Sequence, residues 1–194
     1  MKIKYNAPVT LTFAFLSAAV LILDQTLLHG LTETWFAVGG RGSFSPGRLR
    51  SWVTLFTHAA GHAGWNHLVS NFSVILLIGP ILELTYGSFS LLVMMLITAL
   101  VTGALNALFF PAGLLGASGV VFMMILLASF TNFKRGEIPL TFILILVLYL
   151  GQEVMNFFRS DNISQFAHIA GGFCGSLFGF LRPARQAGMP PGLT

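Results

Sequence analysis

Long apolar segments alternate with short polar ones along most of the chain, and this alternation predicts membrane-spanning helices. A helix needs about 20 largely apolar residues to cross a bilayer. Segments that approach this length lie at 8–28, 66–85, 89–110, 138–158 and 166–181. A further, shorter helix is expected from Ser118 to Phe130. The pattern therefore predicts an all-α membrane protein with six helices.

The helix expected at Ser118 is too short to cross a bilayer alone. Pro111 and Gly113 interrupt the apolar pattern before it, so the chain must enter the membrane there as irregular backbone. Such backbone is tolerated at membrane depth only inside protein or beside a water-filled cavity. The pattern thus predicts a cavity or a buried loop next to Ser118.

The first loop, residues 29–65, has no clear apolar pattern. It contains several glycines, and Arg48, Arg50 and Trp52 lie beside apolar residues. Arginine and tryptophan in such surroundings are typical of the membrane–water interface. We expect this loop to lie in the headgroup region of the bilayer rather than in bulk water.

The composition agrees with a membrane protein. Of the 194 residues, 55% are hydrophobic and only 8% are charged, whereas a soluble domain usually carries about 25% charged residues. The net charge is +4, but the basic residues form no dense patch and indicate topology rather than nucleic-acid binding. The single cysteine, Cys174, permits no intrachain disulfide and is interpreted as a packing residue.

Lys2 and Lys4 precede the first apolar segment, as in either a cleaved signal peptide or a retained helix. The apolar run is long for a signal peptide and no clear cleavage site follows it, so a retained helix is favoured. Six helices leave both termini on one side, where lysines and arginines outnumber those on the other side, which favours cytoplasmic termini. Residues 1–181 then form one membrane domain, and residues 182–194 a disordered cytoplasmic tail.

Polar groups inside a membrane are costly and tend to mark function, and the first such cluster is rich in histidine. It consists of His58, His62, His67 and Asn71. His67 and Asn71 share one face at the start of the second predicted helix, so they should point into the bundle. A metal site does not fit, because the spacing from His62 to His67 differs from the helical pattern of zinc proteases. Structural hydrogen bonding between helices is the favoured interpretation for His58 alone.

The second cluster places a serine between two glycines, at Gly116, Ser118 and Gly119. These glycines let the backbone bend sharply and approach another group closely. Ser118 should stand in the first turn of the short helix, where free amide donors and the positive end of the helix dipole lie. The alternative is a serine that only caps the helix.

The third cluster puts a histidine on a stripe of glycines in the last predicted helix. His168 shares this stripe with Gly171 or Gly172, Gly175 and Gly179, and glycines at this spacing let two membrane helices touch. Helix packing alone explains the glycines but does not explain the histidine.

Together these clusters predict a serine hydrolase. His168 is the natural base for the Ser118 hydroxyl, and His67, the Asn71 amide and the Ser118 backbone N–H are candidate donors to an oxyanion. We predict a Ser–His dyad, because no carboxylate is placed to complete a triad. The nearest acidic residues are Asp161, in the preceding loop, and Glu153, on the fifth helix.

At this point the chain resembles the rhomboid family of intramembrane serine proteases, from about His58 to Gly179. The resemblance is carried in order by the histidine and asparagine cluster, by Glu83 followed by Gly87 and Ser88, by the serine cluster with Phe122, and by the histidine and glycine stripe. It implies a six-helix bundle with a membrane-embedded first loop. It also implies that Ser118 is the nucleophile and His168 the general base.

The resemblance implies supporting roles as well. His67 and Asn71 would form the oxyanion hole, and His62 would help to hold the water-accessible cavity. Phe122 would stack on the catalytic histidine, where the family often has a tyrosine, and Glu83 would tie the second helix to its cytoplasmic turn. Gly116 belongs to the serine motif of the family.

One part of the first loop departs from the family. Many members carry Trp-Arg shortly before the first histidine, where this chain has Val53 and Thr54, with Trp52 one place early. This departure bears on how the loop is anchored and on substrate choice. It also admits a specialised subfamily, such as rhombosortase-like enzymes that process C-terminal sorting segments.

The predicted function is therefore intramembrane proteolysis of transmembrane protein substrates in a lipid bilayer, with no cofactor, metal or nucleic acid. The expected location is a bacterial inner membrane. Two alternatives are an inactive rhomboid-like protein that binds membrane clients, and a small transporter or channel. We also predict that Phe157 and Phe158, at the outer end of the fifth helix, close a lateral gate, although interfacial anchoring explains them equally well.

Overall fold

The computed structural model describes residues 2–131, 138, 140–145, 147–148 and 162–181. Within these residues the fold is helical. The helices are α1 (Pro8–Thr26), α2 (Leu31–Trp35), α3 (Leu49–Thr57), a 3₁₀ turn (His58–Ala60), α4 (Trp65–Tyr86), α5 (Ser88–Phe109), α6 (Ser118–Ala128) and α7 (Asn162–Leu181). Residues 140–145 are also helical.

Three of these helices, α1, α4 and α5, are long and apolar enough to cross a membrane. Their bounds agree with the predicted segments to within a few residues. Both α6 and the Phe166–Leu181 part of α7 are apolar but shorter. Much of the predicted fifth helix, with Phe157, Phe158 and the acidic Glu153 and Asp161, lies outside the described residues. The described part of the chain is thus a helical membrane bundle with three candidate spans.

Helix α6 occupies the centre of the bundle. It is apolar all round and almost wholly buried, as expected of a helix that has neighbours on every side. It packs against α4, α5 and α7. A helix this short does not have to cross the whole bilayer, because the surrounding helices shield it from lipid.

The glycine stripe of α7 lets that helix lie against the backbone of α6. A Cβ atom added at Gly171 would lie 2.0 Å from the carbonyl oxygen of Gly119, and one added at Gly175 would lie 2.2 Å from that of Met123. The predicted close packing is confirmed. Since His168 lies one turn before Gly171, this contact fixes the distance of the histidine from α6.

A buried carboxylate joins α4 to the start of α1. Glu83 accepts hydrogen bonds from the backbone N–H groups of Val9 (2.9 Å) and Thr10 (3.1 Å) and from the Thr10 hydroxyl (2.9 Å). It also interacts with the hydroxyl of Ser88, which begins α5. The sequence predicted the link to the turn but not the larger role, in which Glu83 satisfies the free N–H groups at the first turn of α1.

The first loop lies against the segment that leads into α6. Val38 and Leu114 exchange two backbone hydrogen bonds of 2.9 Å each, in an isolated antiparallel bridge. The N–H of Arg41 donates to the carbonyl oxygen of Phe110 at 2.6 Å. Next to it, Gly40 approaches Pro111 so closely that an added Cβ would lie 1.9 Å from the Pro111 oxygen. The loop therefore sets the path of the chain that delivers Ser118.

Candidate active site

His67 and Asn71 are one turn apart near the start of α4, and both side chains face an internal cavity. His67 is half-buried, whereas Asn71 is buried. Among the described residues, the Asn71 amide nitrogen has no hydrogen-bond partner although it is shielded from solvent. Such a buried donor is costly to leave unpaired, and the arrangement suits a group that binds a ligand oxygen.

His62 lies behind His67 rather than on the cavity surface. Its ring is buried and meets the His67 ring edge-on, with centroids 5.0 Å apart. Burial, together with the nearby imidazole of His67, lowers the pKa of His62 from 6.5 to about 4. A neutral His62 therefore supports His67 by packing.

His58 has a structural position. Its Nε2 lies 3.0 Å from the carbonyl oxygen of Ala99 on α5, and its own carbonyl oxygen accepts the N–H of Gly116 at 2.9 Å. Burial lowers the pKa of His58 to about 4. The side chain does not line the cavity. The interpretation that His58 makes structural hydrogen bonds between elements agrees with these contacts.

Gly116 cannot carry a side chain for two separate reasons. Its φ of +116° lies in a region that L-residues rarely adopt. A Cβ atom there would also lie 2.6 Å from the imidazole of His67. The glycine thus brings the segment before Ser118 into direct contact with the first candidate oxyanion donor.

Ser118 is the first residue of α6, and it is half-buried on the cavity wall. The N-cap position belongs to Ala117, and no side-chain hydrogen bond caps this helix. The alternative that Ser118 serves only as a helix cap is therefore wrong. The first N–H groups of a helix have no partner within it, which leaves amide donors beside the Ser118 hydroxyl.

His168 is held against α6 by an aromatic stack. Its ring lies parallel to that of Phe122, with centroids 4.2 Å apart and an interplanar angle of 6°. Phe122 follows Ser118 by one helical turn. The stack limits rotation of the imidazole, which also lines the cavity.

A single cavity of about 630 Å³ brings most of the predicted site together. His67, Asn71, Ser118, Phe122 and His168 line it, whereas His62 and Gly116 adjoin it through His67. The rest of the wall is mostly apolar. The catalytic roles of these residues stay predictions.

Ser70 also lines the cavity, and the sequence interpretation missed it. Its position three residues after His67 was the only signal, because residues three apart share a helix face. The described residues contain no group of three histidine, cysteine, aspartate or glutamate side chains placed to hold a metal ion. The polar side chains that line this cavity carry two hydroxyls, two imidazoles and one amide.

The comparisons with known proteins agree on one family. Residues 49–185 match the family model described as Rhomboid domain. The chain is 28% identical over 182 residues to "Rhomboid protease GluP" of Bacillus subtilis (strain 168), covering 89% of this chain and 34% of that protein. It is 27% identical over 152 residues to "Rhomboid-like protein 11, chloroplastic" of Arabidopsis thaliana, covering 77% of this chain and 51% of that protein. The chain thus spans about a third of the one relative and half of the other.

Proposed function

The chain belongs to the rhomboid family, and from this premise we propose that it is an intramembrane serine endopeptidase. Its substrates are membrane proteins, and the scissile peptide bond lies in or near a transmembrane segment. The observation that carries the proposal is the cavity shared by Ser118, His168, His67 and Asn71. A hydroxyl, a base and two polar donors around one space form the minimum equipment for acyl transfer.

In the proposed reaction, Ser118 Oγ attacks the carbonyl carbon of the scissile bond while His168 takes the hydroxyl proton. The C–N bond then breaks, and His168 returns that proton to the leaving amine. Water attacks the resulting acyl-enzyme in the same way, releases the new carboxyl end and restores the Ser118 hydroxyl. Two residues perform both halves of the reaction.

The negative charge that develops on the carbonyl oxygen needs donors that are already in place. We assign this role to the Asn71 amide, the His67 imidazole and the Ser118 N–H. The unpartnered amide nitrogen of Asn71 supports the assignment, because a substrate oxygen would supply the hydrogen bond that it lacks. Phe122 acts through His168 by holding the imidazole plane.

The location follows from the same proposal. The helical bundle is an integral membrane protein, and we place it in a bacterial inner membrane with both termini in the cytoplasm. The cavity then opens on the opposite side, toward the first loop, where water can reach it. A transmembrane substrate would arrive laterally from the lipid.

A serine-directed fluorophosphonate probe in detergent tests the function directly. Wild-type protein should be labelled at Ser118, and Ser118→Ala should lose the label. His168→Ala should reduce labelling strongly, because the hydroxyl loses its base. A panel of model transmembrane substrates, assayed in parallel, should show cleavage that depends on both residues. An inactive client-binding protein or a transporter would give neither labelling nor cleavage.

A further inference from the structure

A second, smaller cavity lies in the first loop, away from Ser118. Its volume is about 220 Å³, and polar side chains make up much of its lining. Those polar residues are Ser43, Arg48, Arg50 and Ser51. The cavity lies where the turn at Gly39 meets the first turn of α3, and the chemistry proposed above uses none of these residues.

The two arginines leave most of their donors unused. The Arg48 side chain is exposed and makes no hydrogen bond or ion pair within the described part of the chain. Arg50 makes one, a long contact of 3.3 Å from its guanidinium to the carbonyl oxygen of Glu33. A guanidinium has five N–H donors in a fork that matches carboxylate or phosphate oxygens. Two such groups at one polar cavity therefore indicate an anion site.

The helix that carries these arginines also presents an apolar face. Leu49, Trp52 and Phe56 are 74%, 49% and 39% exposed, and they follow each other at spacings of three and four residues. Residues at these spacings share one side of a helix. An exposed apolar stripe on a short helix with arginines at its start is the pattern of a helix that lies in the membrane interface.

We propose that this pocket binds the phosphate of an anionic phospholipid, with the lipid acyl chains against the apolar stripe of α3. The stripe argues for a lipid over a free phosphate, since Leu49 lies between the two arginines and only a lipid occupies both surfaces. The lipid belongs to the leaflet on the side of the first loop. Clustered arginines next to a membrane attract anionic headgroups.

The pocket is connected to the catalytic cavity through backbone. Val38 lines the pocket and is hydrogen-bonded to Leu114, which lines the catalytic cavity four residues before Ser118. A bound lipid would therefore steady the segment that delivers the nucleophile. This consequence for the cleavage rate rests on the proposed function, whereas the binding itself does not.

Tryptophan fluorescence measures binding at this place. The chain has three tryptophans, and a Trp35→Phe/Trp65→Phe background leaves only Trp52, whose ring packs edge-on against Phe44 at the pocket. Brominated phosphatidylglycerol, titrated into the purified protein in detergent, should quench Trp52 at lower concentrations than brominated phosphatidylcholine. Native mass spectrometry of the unaltered chain should retain phosphatidylglycerol in preference to phosphatidylcholine.

Single substitutions then separate a site from general electrostatic attraction. Arg48→Gln removes a guanidinium that makes no protein contact, so the fold should survive, and apparent affinity for phosphatidylglycerol should fall about five-fold. Arg50→Gln should have an effect of the same size. Arg41→Gln is the matched control, because Arg41 is also exposed in the same loop but does not line the pocket. It should change the affinity less than two-fold.

Several results would overturn the proposal. Equal losses of affinity in Arg41→Gln and Arg48→Gln would show that the loop attracts anionic lipid through its general positive charge and has no specific site. Equal quenching by both lipids would exclude selectivity for an anionic headgroup, since both lipids carry a phosphate and only phosphatidylglycerol has a net negative charge. Displacement of the lipid by inorganic phosphate alone would exclude the acyl contact. If Arg48→Gln altered only the cleavage of substrates with acidic residues, with lipid binding unchanged, the pocket would recognise substrate instead. A protein that binds the lipid but cleaves no substrate would contradict the proposed function and leave the site intact.

Discussion

The amide nitrogen of Asn71 is central to the candidate oxyanion hole. The Asn71 amide is buried in α4 and reaches the cavity, and the amide nitrogen has no partner among the described residues. The residue types and the four-residue spacing from His67 were sufficient to predict this position from the sequence. The sequence could not show that the amide nitrogen lacks a partner, because that depends on what packs around it.

We expect Asn71→Ala to lower the turnover of a transmembrane substrate by about 10²–10³, since removing one oxyanion donor typically has an effect of this size. The melting temperature should change much less. Ser70→Ala is the matched control, because it removes a polar group from the same cavity wall. Turnover that is equal in the two variants would remove Asn71 from the mechanism.

Gly116 tests the contact between the nucleophile segment and His67. Gly116→Ala forces a side chain into a positive-φ backbone and against the imidazole, and strain of this kind is worth about 1–3 kcal/mol. We expect a lower melting temperature in detergent and a loss of probe labelling.

The control is Gly64→Ala, where an added Cβ meets nothing within 4 Å and φ is 168°, an extended value open to any residue. Gly64→Ala should therefore behave like wild type. If Gly116→Ala kept full labelling, the close approach to His67 would be irrelevant to the site.

At the scale of whole elements, the apolar pattern predicted the long helices well because lipid-facing helices have to be apolar throughout. The pattern predicted the ends of a helix less well where the helix contains polar residues. Helix α7 begins at Asn162, before the predicted start at Phe166, since its first turn is polar. The helices α2 and α3 were interpreted only as loop, because they are short and amphipathic.

The pairing of α6 with α7 gives a prediction with a control in the same helix. Gly171→Ala would push α7 away from the Gly119 carbonyl, and overpacking of this kind typically costs about 1–3 kcal/mol. Since His168 moves with α7, we expect labelling of Ser118 to fall together with the melting temperature.

Gly172→Ala is the neighbouring comparison, because its added Cβ would meet only Leu126, at an ordinary 3.8 Å. It should keep its activity and melt at the same temperature or slightly higher, because alanine is more favourable than glycine inside a helix. The opposite ranking of the two variants would contradict the packing described for α6 and α7.

At the scale of the molecule, two buried histidines make stability depend on pH. The pKa values of His58 and His62 are lowered to about 4 in the folded protein, against about 6.5 in an unfolded chain. Between these values the unfolded state binds protons that the folded state does not bind. Stability is therefore full above about pH 6.5 and decreases as the pH falls toward 4.

We expect the melting temperature in detergent to drop steadily between pH 6.5 and 4, with each histidine contributing up to roughly 3 kcal/mol. His62→Gln, which does not titrate, should show a shallower drop. A flat profile would mean that the two side chains are protonated in the fold at little cost.

The bridge between Val38 and Leu114 also bears on how the protein is made. Four backbone groups of the segment from Phe110 to Gly116 are hydrogen-bonded to three residues of the first loop, namely Val38, Arg41 and His58. In lipid no water is present to replace those partners. The first loop must therefore take its shape during biosynthesis before this segment can settle into the bilayer. An alteration that removes this bridge would then reduce the yield of inserted protein.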